Sequence, residues 1–414
     1  MTTTLAPRAA GESLLLQPVT STYRRQLRRV KLVWALLVLN VLTFYAGAPH
    51  ILPVPAAVGK FVTQAALVAA LLLVLSVNRP VRVRPSIFIF LLAFLGAEAL
   101  MTSIHAEFVF GAAFRSTRLL LFVAVLWLLT PWWSRRDHLL IKTHLITIWV
   151  VLGTVVLGFL AAPGLAMEQG RLAGVLWPIP PTQVAHYAAV AVGLATVLWL
   201  SGLLRREVVL ASVAIGVPIL LLTHTRTALV ALVAGVLVAG LSLFTTRARA
   251  RRVIAIGTVV VSVGSLALSS YVATWLARGQ DTEEVADLTG RRVVWESVVA
   301  EPRSIFELAF GFGLSNKSFN GLPIDSNWLA TYYDVGLVGL AISAGTVLFL
   351  LVAAAFKPRG PKRALALFLI AYCLVASFTE TGLSDASPYL LELTLAASLL
   401  ISSRRGYPSR GGSP

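Results

Sequence analysis

The stretch 223–252 reads Thr223-His224-Thr225-Arg226-Thr227, then ALVALVAGVLVAGLSLF over 228–244, then Thr245-Thr246-Arg247-Ala248-Arg249-Ala250-Arg251-Arg252. Its central run is uncharged and close to the roughly 20 residues that a bilayer crossing requires. One arginine stands at its head and a cluster of them at its foot. Basic loops stay on the cytoplasmic side, so the foot lies inside and Thr223–Thr227 forms a tight outer turn.

The rest of the chain extends the pattern. Of its 414 residues 57% are hydrophobic and only 13% charged, against about half and about a quarter in soluble domains. A soluble enzyme with one core is excluded. The expected fold is all-α, a polytopic membrane helical bundle of about twelve transmembrane helices. Its spans run over 31–48, 54–77, 86–104, 117–133, 138–162, 183–204, 207–223, 227–245, 252–276, 327–356, 364–380 and 387–403. Most of the 35 Lys and Arg residues fall in the N-terminal arm, alternate short loops and the tail. One assignment satisfies every loop, with both termini cytoplasmic. The net charge of +17 then reports orientation and needs no nucleic-acid partner. The one cysteine, Cys373, lies in a span, so neither a disulfide framework nor a cysteine zinc site is available. Ala46-Gly47-Ala48 resembles a signal-cleavage site, but Pro49 follows it and the charged arm ahead is long, so the first span is read as retained.

The chain divides into a cytoplasmic basic arm (1–30), nine spans (31–276), an extracytoplasmic lid (277–326) between helices 9 and 10, three spans (327–403) and a cytoplasmic tail (404–414). Residues 1–22 and the tail carry a disorder-prone composition. The lid segment is far longer than a structureless connection should be. Within it Thr289 to Ala300 reads as a short helix, with Val294, Trp295, Val298 and Val299 as its apolar stripe and Pro302 beyond its end. Arg291 precedes Trp295 by one turn. Such a helix suits a lid over an outer site, or an interfacial helix without chemistry.

Arg226 is the most informative outer residue. The following helix points its N-terminus outward, so unpaired N–H groups and the positive dipole end lie beside a guanidinium. That pairing suits a phosphate-type anion, and snorkelling to lipid headgroups is the plainer alternative. Arg291 and Arg292 supply further cationic points. Asp325, in Pro323-Ile324-Asp325-Ser326-Asn327-Trp328-Leu329, is placed to accept a proton from a hydroxyl or to cap the next helix. Glu98, Lys142, His144, His186, Glu380 and Glu392 lie in or near spans and are functional candidates by that placement. Glu380 and Glu392 flank the last outer turn and are expected to line one outer cavity. No metal-ligand spacing, phosphate loop or dinucleotide fingerprint occurs, so neither a metal nor another cofactor is expected.

Four separated segments together resemble the O-antigen ligase/O-antigen polymerase superfamily. They are Arg171-Leu172-Ala173-Gly174 followed by Pro178 to Gln183, and Thr223-His224-Thr225-Arg226-Thr227. The others are Gly290-Arg291-Arg292-Val293-Val294-Trp295 with Gly311-Phe312-Gly313, and Asp325-Ser326-Asn327-Trp328-Leu329 with Asp334-Val335-Gly336 and Gly339. The resemblance implies a bacterial inner-membrane glycosyltransferase with its active site facing outward. Such an enzyme takes a glycan from a polyprenyl-diphosphate carrier and passes it to an acceptor hydroxyl. It implies that Arg226 and Arg291 hold the lipid diphosphate and that Asp325 acts as the base. Arg171, Arg292, His224, Trp295, Asn327 and Glu380 are the expected substrate-binding residues. Asp325, where ligases of the family often carry His, leans the resemblance toward polymerase. The alternatives are a ligase with a lipid, cell-wall or protein acceptor, and a polytopic transporter or lipid flippase.

Overall fold

A computed structural model of the chain describes residues 21–45, 50–134, 137–257 and 291–401. The protein is mostly helical. Its helices are α1 (Ser21–Asn40), α2 (Ala56–Val77), α3 (Ile87–Thr102), α4 (Val109–Leu129), α5 (Asp137–Ala161), the single turn α6 (Pro163–Ala166), α7 (Pro181–Leu200), α8 (Arg206–Leu222) and α9 (Arg226–Phe244). They continue with α10 (Arg291–Ala300), α11 (Ile305–Phe310), α12 (Asn327–Phe356), α13 (Pro361–Ala376) and α14 (Pro388–Leu400). Residues 248–257 are also helical. Among the described residues, 7 helices are long and apolar enough to cross a membrane: α2, α3, α4, α5, α7, α9 and α12. The chain is a helical membrane protein. Among the described residues the strands form two hairpins, β1 (Met167–Glu168) with β2 (Arg171–Leu172) and β3 (Ser318–Phe319) with β4 (Leu322–Pro323).

Helix α7 is the centre of the bundle, packed by α5, α8, α9 and α13. Its small residues permit that close approach, since lipid-solvated helices associate by packing rather than by a hydrophobic drive. Gly193 of α7 and Gly235 of α9 form a slot for the Phe368 ring of α13, and a Cβ at either position would press on that ring. Glu98 buries its carboxyl beside Gly339 of α12.

The expected spans that fall in the described residues lie on helices, with the chief differences at four of them. The first helix stops at Asn40 rather than 48. Asn40 donates Nδ2–H to the Thr63 carbonyl, while Gln183 donates to the Val41 carbonyl and accepts from Thr43 N–H. Gln183 thereby takes over backbone groups that another turn of α1 would have used. Helix α4 starts at Val109 instead of 117, so Arg115 and Arg118 sit within it. Helix α13 ends at Ala376, which leaves Glu380 in the following loop. The span 252–276 and the start of the lid lie largely outside the described residues, as do the arm at 1–20 and the tail.

Helix α12 is the fourth case. It covers 327–356 as expected but breaks inside, at Val335 (φ −130°) and Gly336 (φ 63°). The break is where α11 docks. Gly311 (φ 73°) lies against the Asp334 carbonyl, Gly336 against the backbone of Ala309, and Gly313 N–H donates to the Asp334 carbonyl at 2.7 Å. The Gly311-Phe312-Gly313 and Asp334-Val335-Gly336 motifs therefore interlock through backbone. A methyl group at Gly336 meets both a left-handed φ and a neighbouring main chain. Gly336→Ala is expected to destabilise the protein by about 2 kcal/mol or more, read as a lower thermal midpoint in detergent. An unchanged midpoint would show that the α11–α12 contact is not tight.

Candidate functional site

The site is built from four segments that are distant in sequence. The first is the β1–β2 hairpin. Its turn residues, Gln169 (φ 49°) and Gly170 (φ 74°), both have positive φ, as a two-residue hairpin requires. The turn delivers Arg171 at the start of β2. Arg171 donates from Nε to the Thr223 carbonyl at 3.0 Å and from Nη2 to Thr225 Oγ1 at 3.2 Å. It thus clamps the second segment, the turn between α8 and α9. There His224 takes φ 49°, the left-handed conformation that ends many helices, and the chain reverses within a few residues so that Arg226 opens α9. Thr227 Oγ1 hydrogen-bonds Thr379 Oγ1 at 2.6 Å, tying this turn to the loop that carries Glu380.

The third segment is α10. Its buried face is Val294 and Val298, which pack with Ile324 and Ala330. Val299 is 61% exposed, so the apolar stripe is narrower than the sequence pattern indicates. On this helix the two arginines part company. Arg291 donates from Nε to Asp325 Oδ2 at 3.0 Å, with both side chains about a third exposed. Arg292 pairs with Glu296 at 2.8 Å on the open face, where both are about two-thirds exposed. Trp295 is half-buried, and its indole N–H has no acceptor among the described residues.

The fourth segment runs from Asp325 into α12. Asn327 anchors it: Oδ1 accepts from Gly382 N–H at 3.1 Å and Leu383 N–H at 2.8 Å, and its own N–H donates to the Ser377 carbonyl. Its Nδ2 remains buried without an acceptor among the described residues. This lashing fixes the 377–387 loop, and Glu380 with it, beside Asp325.

Electrostatics shows how closely the segments converge. Burial, then the charge of Asp325, push the Glu380 carboxyl from 4.5 to about 7, against the opposing pull of Arg291 and Arg171. Arg171 is lowered from its ordinary value chiefly by burial, with Glu380 and Glu168 raising it and Arg291 lowering it. Arg226 lies within range of the Arg291 charge. Arg171, Arg226, Arg291, Asp325 and Glu380 therefore share one electrostatic neighbourhood. Three cations facing two carboxylates can bind a multiply charged anion and still keep a group that exchanges a proton near neutral pH.

One expectation is revised. Glu392 does not line the outer cavity with Glu380. It is fully buried in the bundle, where it accepts from His144 Nε2 at 2.8 Å and has His186 at 3.7 Å. The Trp34 indole donates to His144 Nδ1 at 3.2 Å, which leaves Nε2 to carry the imidazole proton toward Glu392. Arg303, not singled out from sequence, proves to be a fixed point: its buried guanidinium lies over the Tyr332, Tyr333 and Phe312 rings and 3.5 Å from Glu301. The only sequence signal for it is a lone arginine amid aromatics that are distant along the chain. No family model matches the chain, and no curated protein matches it.

Proposed function

We propose that the protein is a membrane glycosyltransferase that moves a glycan from a polyprenyl-diphosphate carrier to an acceptor hydroxyl, as an O-antigen-type polymerase. The carrying observation is the convergence of Arg171, Arg226 and Arg291 with Asp325 and Glu380 from four separate segments. In this reading about twelve spans set the site at the outer face of a bacterial inner membrane, and residues 277–326 form its lid. Membrane lipids surround the bundle, and the polyprenyl tail lies among the outer halves of the helices.

The chemistry follows from charge. The acceptor oxygen attacks the anomeric carbon and its proton passes to Asp325. The bond from that carbon to the diphosphate oxygen breaks, and its electron pair leaves with the diphosphate. Negative charge on the leaving group grows as the bond breaks, so fixed guanidinium groups stabilise the transition state more than the ground state. Arg226 and Arg291 receive that charge, and Arg171 holds the turn that carries Arg226. The diphosphate ester is already activated, so the step needs no nucleotide. A single displacement inverts the anomeric centre.

A second reading makes Glu380 the base. It is favoured by one observation: Glu380 titrates at about 7, where a general base is most effective.

The test mixes purified protein, a polyprenyl-diphosphate glycan and candidate acceptors in proteoliposomes, and weighs the products. The expected result is a longer glycan together with free polyprenyl diphosphate. A lipid-linked substrate that changes leaflet without changing mass would replace the transferase reading with a transporter.

A further inference from the structure

Three hollows on the described surface share lining residues. The first, about 450 Å³, is lined by Glu380, Asp385, Lys317, Lys60, Gln64 and Arg118 among others. The second, about 470 Å³, shares Lys60, Gln64 and Arg118 with it and adds Phe108 and Arg115. The third, about 750 Å³, shares Phe108 and Arg115 with the second. The three hollows therefore lie side by side, from Glu380 to the third. The chain at 316–318 lies between the first and third hollows: Lys317, at φ 60°, lines the Glu380 cavity, while Asn316 and Ser318 line the far cleft.

The lining of the far cleft selects a ligand class. Phe312, Phe319 and Tyr333 contribute aromatic surface, with Tyr333 against Phe312 at 5.4 Å and against Phe319 at 5.7 Å between ring centres. Arg303 lies over both Phe312 and Tyr333, so the platform is held in place before any ligand arrives. Around the rings stand amide, hydroxyl and carboxyl groups: Asn316, Asn320, Ser318 and Glu107. Asn316 Oδ1 already accepts from Ser318, which leaves its Nδ2 to donate outward. Among the described lining residues Arg115 is the one arginine or lysine, beside His105 and set against the carboxylates of Glu107 and Glu301, so the lining does not favour an anion. Apolar ring faces bordered by uncharged donors and acceptors match sugar rings, which offer C–H faces and a girdle of hydroxyls. The volume suits about two or three sugar units.

We propose that this cleft is a binding site for an uncharged oligosaccharide chain, which passes over the second hollow toward Glu380. It rests on the transferase reading only for the identity of the end at Glu380; the ligand class follows from the lining.

The test is saturation-transfer NMR on detergent-purified full-length protein, with neutral fragments of bacterial surface polysaccharides from single sugars to hexasaccharides as probes. Binding is expected to strengthen with chain length in at least one series. It is expected to weaken tenfold or more in Phe312→Ala, which removes part of the platform, and in Glu107→Arg, an exposed position where folding is not at risk. Binding that ignores chain length, or that survives both substitutions unchanged, overturns the proposal, as does a cleft that takes inorganic phosphate or peptide in place of sugar. The same variants enter the transfer assay. Shortened products with the first transfer intact support the cleft, and an unaltered length distribution counts against it. Absence of any product from the wild-type protein counts against the transferase reading alone, because the NMR arm still decides the cleft.

Discussion

Replacing Arg226 by Ala is expected to lower glycan transfer about 100-fold or more, with the protein still inserted and folded. The argument is positional. Arg226 opens α9, whose N-cap Thr225 makes no side-chain cap bond, so its guanidinium stands at the positive end of the helix dipole. Arg291 adds its charge from a helix remote in sequence. Loss of a donor that engages only the charge of the departing diphosphate lowers turnover rather than donor affinity alone. Arg226→Lys keeps the charge but loses the paired donors, and should fall between wild type and Ala. Arg292→Ala is the internal control: its guanidinium is exposed and paired with Glu296, and exposed pairs contribute little. Turnover in Arg226→Ala within a few-fold of wild type, or an equal loss in Arg292→Ala, would remove the diphosphate role. Transfer rates in proteoliposomes at matched protein content make the measurement.

What could be read from the sequence divides by physical range. Apolar runs and flanking arginines are local signals, and the long helices follow them closely, α12 to the residue. Local competition by polar side chains is harder to read, and Gln183 takes the Val41 and Thr43 backbone groups at the end of α1 from far along the chain. Motif order singled out Arg171, Arg226, Arg291 and Asp325, but no pattern could announce that Arg171 clamps the Thr223–Thr225 turn rather than standing apart as a further anion contact. The separation of Arg291 from Arg292 is plain in hindsight, because adjacent helical residues point about 100° apart. The hairpin at 318–323 also carried a legible signal, since Asn320-Gly321 is the strongest short hairpin marker. By contrast, the burial of Glu392 between two histidines, and the aromatic setting of Arg303, depend on helix packing alone.

Asp325→Asn and Glu380→Gln together decide which carboxylate takes the proton. With Asp325 as the base, the Asn variant should lose transfer by about 10²- to 10⁴-fold at every pH while donor binding persists, because the amide has no basic oxygen and Arg226 and Arg291 remain. Glu380 then acts by its charge. Its carboxyl is raised to about 7 by burial and by Asp325, so it is neutral below that pH and anionic above. An anion beside the reacting centre stabilises the positive charge that develops on the anomeric carbon, so wild-type transfer should climb as pH rises through about 7 and level off above it. Gln resembles the protonated form, and Glu380→Gln should therefore run at the wild-type low-pH rate across the range, with the rising limb gone. If Glu380 is itself the base, the pattern inverts: the Gln variant is inactive throughout, and Asp325→Asn keeps a rising limb, shifted to lower pH because the neighbouring charge that helps raise Glu380 has been removed. Two pH–rate profiles separate these outcomes. Full activity with an unchanged limb in both variants would place the proton acceptor outside this pair and leave Asp325 as no more than the partner that orients Arg291.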